Sequence, residues 1–225
     1  MEKRFDRKSF ENFILNKGML GISEKSFTLV SGRDSHFYVN WRLNDVFLVD
    51  RVSDYVLDFV GDLGIEADCF YGVPEGPTRL ANLTQVKFAK QSSNYGEGSH
   101  VLPMGRGKPK DHGDPKDRYF VGAPEGKVII LEDVTTTVGS LVVKGIKPLQ
   151  EMGLDIVAAI TLTNRSIQKN YAEEYVKSET GVNYFAMSHA FDMLPEACKK
   201  FKPSDSVKQA LQEEFENYGE PLVLG

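Results

Sequence analysis

The chain has 225 residues, with 27 Lys and Arg against 32 Asp and Glu, giving a net charge of −5 at neutral pH. That balance excludes the broad basic surface that non-specific nucleic-acid binding requires, so no nucleic-acid partner is expected and only a local basic loop stays open. With 41% hydrophobic and 26% charged residues, the composition excludes a disordered or collagen-like polymer and fits one folded core.

No stretch approaches the ~20 apolar residues of a membrane span. The first eight residues alternate charges instead of forming an apolar leader, so no membrane partner and a cytoplasmic location are expected. Cys69 and Cys198 are too few and too distant for a disulfide framework or a zinc site, in keeping with a reducing compartment.

Taken in chain order, residues 8–17 place Phe10, Phe13 and Ile14 on one helical face before Gly18 stops it. Two β-prone runs, 27–30 and 37–41, flank Ser31-Gly32-Arg33-Asp34-Ser35 and predict a hairpin or ribbon. Val52, Val56, Phe59, Val60 and Leu63 mark an amphipathic helix ended by Gly64, followed by a buried strand over 69–73, a helix over 80–89 and a strand over 101–104. Residues 104–127 are dense in Gly, Pro, Lys, Arg and Asp, too long a loop for a compact domain unless it is functional, and are read as a mobile active-site loop. A strand over 128–131 leads to a helix over 139–152, which Pro148 should kink or break. A strand over 156–163, a helix over 167–177, a short strand near Tyr184 and helices over 193–200 and 206–218 complete the chain. This alternation predicts an α/β fold with a parallel central sheet flanked by helices on both faces.

The richest segment runs from Val128 to Ser140: four apolar residues, then Glu132-Asp133, then Val134-Thr135-Thr136-Thr137-Val138-Gly139-Ser140. In open α/β sheets ligands bind beyond the carboxyl ends of the strands, where this turn falls. Backbone N–H groups opening the next helix, with the hydroxyls of Thr136, Thr137 and Ser140, suit a phosphate. Glu132 and Asp133 accept hydrogen bonds only, so they suit neighbouring sugar hydroxyls. A single Asp-x-x-Thr would merely cap a helix; this density of acids and hydroxyls after a strand points to a ribose 5-phosphate. No Walker-type Gly-Lys-Ser/Thr ending and no Gly-x-Gly-x-x-Gly fingerprint occurs.

This turn resembles the phosphoribosyl-diphosphate signature of type I phosphoribosyltransferases. Residues 27–40, with the Ser31-Gly32-Arg33-Asp34-Ser35 core and paired aromatics, and the loop Arg106-Gly107-Lys108-Pro109-Lys110-Asp111-His112-Gly113 are similar to segments of orotate phosphoribosyltransferases. Tyr71 to Gly76 and Leu162 to Arg165 fit in the same order. The resemblance implies the type I phosphoribosyltransferase fold as one domain over 1–225, with an N-terminal hood near 1–45, a core near 46–190, a helical segment near 191–225 and a long flexible catalytic loop.

The implied activity is transfer of 5-phosphoribosyl from phosphoribosyl diphosphate to orotate in pyrimidine nucleotide (UMP) biosynthesis. Lys110, His112 and Asp133 are then the catalytic residues. Phosphoribosyl diphosphate would be held by Arg106, Lys110, His112, Glu132, Asp133 and the turn Thr135, Thr136, Thr137, Val138, Gly139 and Ser140. Orotate would be held by Phe37, Tyr38, Thr136 and Arg165. Mg²⁺ would arrive mainly on the diphosphate, without a metal site of the protein's own, and a homodimer would let loop 105–126 reach the partner's site. The chain departs from the family at Val30 and Gly107, where Lys is common, and at Val138, where Gly is usual and a β-branched residue would resist positive φ. Two rival readings stay open: a phosphoribosyltransferase for another purine or pyrimidine, and a non-catalytic nucleotide sensor.

Overall fold

Asp6 caps the first helix, α1 (Arg7–Asn16), by accepting from the Ser9 N–H at 3.1 Å. The computed structural model describes residues 4–29, 32–42, 45–136, 138–168 and 170–224. Strands β1 (Leu20–Thr28) and β2 (Asp34–Val39) form an antiparallel ribbon. It begins earlier than the apolar run at 27–30 suggested, because Leu20, Gly21 and Ile22 pair with Val39, Tyr38 and Phe37. Val30 and Ser31 lie outside the described residues. Helix α2 (Val46–Leu63) is capped by Asp45, which accepts from the Leu48 N–H, and ends at Gly64 in the left-handed region.

The central sheet is parallel, in the order β3 (Cys69–Gly72), β6 (Lys127–Thr135), β7 (Asp155–Asn164) and β8 (Asn183–His189). The short strand expected near Tyr184 is a full seven-residue edge strand. Between β3 and β6 lie α3 (Thr78–Gln91), β4 (Met104–Gly105), α4 (Pro115–Tyr119) and β5 (Phe120–Gly122). Strand alternation divides the interior: Ile129 and Leu131 face one core, Val128 and Ile130 the other. The first core is closed by α1, α2, α3 and two C-terminal helices, α8 (Ala190–Phe201) and α9 (Asp205–Tyr218). The second is closed by the elements after β6 together with α7 (Tyr171–Thr180).

The expected helix after β6 is broken, as its proline demanded, but in a particular way. One turn, α5 (Val138–Ser140), runs into a π-helical segment, Leu141–Ile146, and then into α6 (Lys147–Glu151). Pro148 therefore stands in the first turn of α6, where a missing N–H costs little. Val138 opens a helical turn, and the non-glycine residues with positive φ among those described are Asn170 and Lys202, so the strain expected there is not incurred. Asn170 also explains why α7 starts four residues later than its apolar pattern suggested.

The long segment after β4 is not structureless. β4 and β5 pair antiparallel, and the turn between them is tied by the Arg106 N–H to the Tyr119 carbonyl at 2.8 Å and the Lys110 N–H to the Arg118 carbonyl at 3.0 Å.

Candidate active site

The carboxyl ends of β3, β6 and β7 open into a cavity of about 1210 Å³, roofed by the end of the β1–β2 ribbon. Of the residues expected at the site, Glu132, Asp133, Thr135, Thr136, Ser140 and Arg165 line it. They come from the ends of two neighbouring strands and the residues that follow them: the strands are held in register, Glu132 opposite Thr161 and Thr135 opposite Asn164, which is why residues some thirty positions apart share one edge. Thr137 lies outside the described residues, and of Val138 only the backbone is described.

β6 continues through both acids to Thr135, further than its apolar core suggested. The Glu132 carboxylate accepts from the Asp133 N–H at 3.1 Å, and the Asp133 carboxylate accepts from the Val134 N–H at 2.8 Å. Gly76, in the β3–α3 loop, lets Asp133 approach: a Cβ there would stand 2.5 Å from an Asp133 carboxylate oxygen. Burial, and next the neighbouring Asp133, push the Glu132 carboxyl well above the usual carboxylate range. The unliganded pair thus holds less than two full negative charges near neutrality, and a cation or hydroxyl donors would restore them.

Arg165 is only 6% exposed, and its Nη2 donates to the Ser35 hydroxyl at 2.9 Å and to the Phe37 carbonyl at 2.5 Å. Its guanidinium stands 4.2 Å from the centre of the Phe37 ring. Burial lowers its pKa to about 10, so it stays cationic at neutral pH. Its Nε has no hydrogen-bond partner among the described residues. A buried cation with a spare donor at a cavity wall suits an anionic ligand.

Phe37 and Tyr38 do not line the cavity. Phe37 is fully buried, 5.9 Å from Phe215 between ring centres, while Tyr38, 40% exposed, faces the other side of the ribbon over Gly21. Strand alternation turns Ser35 and Phe37 inward and Tyr38 outward, and it is the end of β2 at Val39 and the residues just past it, Asn40, Trp41 and Arg42, that line the cavity. Arg106, Lys110 and His112 are also outside the cavity of their own chain. Arg106 Nε donates to the carbonyls of Asp117 and Phe120, both at 3.1 Å, whereas Lys110 and His112 are exposed. At the loop's base, Gly107 allows close approach to the cavity rim, since a Cβ there would stand 2.5 Å from Glu75 Oε1.

The cavity also contains residues that sequence reasoning did not single out: Trp41, Arg42, Glu75, Arg79 and Lys144. Lys144 had a readable signal, standing four residues after Ser140 on the same helical face. Trp41, whose indole N–H donates to Thr163 at 3.0 Å, directly follows the hood motif. Arg79 and Arg42 had none. Among the described residues the lining carries Arg42, Arg79, Lys144 and Arg165 against Glu75, Glu132 and Asp133.

No protein-family model matches the chain. It is 31% identical over 157 residues to the orotate phosphoribosyltransferase of Bradyrhizobium diazoefficiens, covering 61% of this chain and 73% of that protein. With the orotate phosphoribosyltransferase of Pyrococcus horikoshii it shares 26% over 170 residues, covering 75% and 83%. The crystal structure of orotate phosphoribosyltransferase from Francisella tularensis superposes with a TM-score of 0.66 at 20% identity, over 94% of this chain and 100% of that one, a likeness of fold. Sheet order, site geometry and relatives agree that the chain belongs to the orotate phosphoribosyltransferase family.

Proposed function

We propose that this protein transfers 5-phosphoribosyl from phosphoribosyl diphosphate to N1 of orotate, yielding orotidine 5′-monophosphate and diphosphate for pyrimidine nucleotide biosynthesis. The observation that carries the reading is the meeting of Arg165 with the acid and hydroxyl turn of β6 in one cavity. The turn from Thr136 to Ser140 holds the 5-phosphate, Glu132 and Asp133 take the ribose hydroxyls, and Arg165 takes the carboxylate of the base against Val39 and Trp41. The C1–oxygen bond to diphosphate breaks with its electron pair leaving on the diphosphate, and C1 bonds to N1 as N1 gives up its proton to a basic oxygen of the departing diphosphate. The two carboxylates stabilise the cation-like C1 in between.

Among the described residues no group of three or more His, Cys, Asp and Glu forms a metal cage. The donor set would fit Mg²⁺ carried on the diphosphate, with Asp133, which packs against Gly76 of the β3–α3 loop, as a carboxylate to hold it. When bound, Mg²⁺ would neutralise leaving-group charge. Lys110, His112 and Arg106 supply further positive charge to the diphosphate. Because Lys110 and His112 stand exposed outside their own cavity, they act on the cavity of a partner copy in a homodimer. A cytoplasmic setting accords with two free, buried thiols, Cys69 and Cys198, and among the described residues no helix is long and apolar enough to cross a membrane.

Diphosphate release from phosphoribosyl diphosphate and Mg²⁺, assayed with orotate, uracil, adenine and hypoxanthine in turn, tests the reading. Release with orotate alone is expected. Release with another base, or binding without release, would overturn it.

A further inference from the structure

Helix α9 begins more than two hundred residues into the chain, yet it packs on β2 beside the base end of the cavity. Its Glu214 is 6% exposed and faces two guanidinium groups. Arg33 Nε stands 2.9 Å from Glu214 Oε1, and the Arg33 guanidinium lies 5.8 Å from the centre of the Tyr218 ring on the same helix. Ser35, whose hydroxyl accepts from Arg165, is one of the groups beside Glu214 that favour its charged form. One residue on, Phe215 packs on Phe37, the ring beneath Arg165. The Phe37 contacts that orient Arg165 from β2 are thus braced from behind by α9.

The charges in this corner do not cancel. Among the described residues two guanidinium groups meet one carboxylate, and Glu214 is already engaged by Arg33, which leaves a positive charge at the cavity wall. A lone buried carboxylate beside one arginine would be a closed pair, neutral toward a ligand. Two neighbouring arginines alone would repel one another. The observed ratio holds both in place and leaves Arg165 able to receive an anion. Arg33 also closes the turn that carries Leu29 to the cavity, since its carbonyl accepts from the Leu29 N–H at 2.7 Å.

We propose that Glu214 is a positioning residue for base recognition: by pinning Arg33 and Ser35 it sets where the Arg165 guanidinium stands, so that the C-terminal helix tunes affinity for the base and not for the sugar diphosphate. This rests on the functional reading above.

The test is steady-state kinetics of Glu214→Gln, Arg33→Gln and the double variant, with thermal unfolding of each. Either single change should raise KM for orotate on the order of tenfold, the size of one charge-assisted hydrogen bond put out of place. KM for phosphoribosyl diphosphate should stay within about twofold, as expected of a distant contact. The double variant should be no worse than the worse single one, because both cut the same link. A purely structural role would lower the unfolding temperature and the active fraction with both KM values unchanged. That result in folded Glu214→Gln, or both KM values rising together, would overturn the proposal. Should Glu214→Gln not fold, Arg33→Gln decides by the same readouts. Failure of the functional reading shows separately, as no diphosphate release by the wild type with orotate, and takes the proposal with it.

Discussion

Replacing Glu132 by Gln should make the unliganded protein more stable and less active, in a manner that depends on pH. The half-buried carboxyl at the end of β6 lies next to Asp133, and no cation contributes to holding its charge. Burial first, and Asp133 second, raise its folded pKa above the 4.5 of a free glutamate. Between those two values the folded protein binds a proton that the unfolded chain has lost, so stability falls as pH rises through that window. Gln carries no charge to be penalised, so its advantage is small near pH 5 and complete above the folded pKa. A buried polar group left unsatisfied costs about 1–3 kcal/mol and a charged one more, part of which the Asp133 N–H offsets here. For a chain of this size each kcal/mol moves the melting temperature by roughly 2–4 °C, so a gain of several degrees at pH 8 is expected. Thermal unfolding followed by circular dichroism at pH 5 and pH 8, wild type against variant without ligands, measures the effect. Turnover should fall by about tenfold or more as the ribose contact loses its negative charge, the usual exchange of stability for activity at a functional site. A melting-temperature gap of equal size at both pH values, or a variant less stable at pH 8, would refute the reasoning.

Lys110→Ala should lower kcat by about 10²–10³ while stability changes by no more than about 0.5 kcal/mol, because the side chain is exposed; unchanged turnover removes Lys110 from the mechanism. Mixing Lys110→Ala with Asp133→Asn should restore about a quarter of wild-type turnover, since half of the dimers are mixed and each has one intact site; no recovery would mean that the loop serves its own chain. Limited proteolysis between residues 105 and 126 should slow when phosphoribosyl diphosphate and orotate are added, and equal cleavage with and without them argues against a closing loop. Phe37→Ala should cost about 3–5 kcal/mol in urea unfolding, because the ring is fully enclosed; a smaller effect than about 1 kcal/mol would place the ring at the base instead of in the core.

Local patterns carried the chain a long way. An apolar run, two acids and a hydroxyl turn are contiguous from β6 into α5, so the sugar-phosphate end of the cavity could be read from thirteen neighbouring residues. The alternation of strands with helices likewise announced a parallel sheet, and Pro148 announced a break, because these are consequences of period and backbone chemistry within a few residues. Which aromatic touches the cavity was not legible in that way. Phe37 and Tyr38 looked like a pair, and only the pairing of β1 with β2 decided that one enters the core and the other faces away.

The base end was decided by tertiary structure for a similar reason. Arg165 meets Ser35 across 130 positions, and α9 closes the same corner from the far end of the chain. Arg42, Arg79 and Lys144 reach the cavity from three separate segments of the chain. Contacts of that separation leave no period and no adjacent motif in the sequence. They exist only once the sheet edge and the ribbon have brought their carriers together, and the balance of buried charge there is set by packing, which no local stretch of residues encodes.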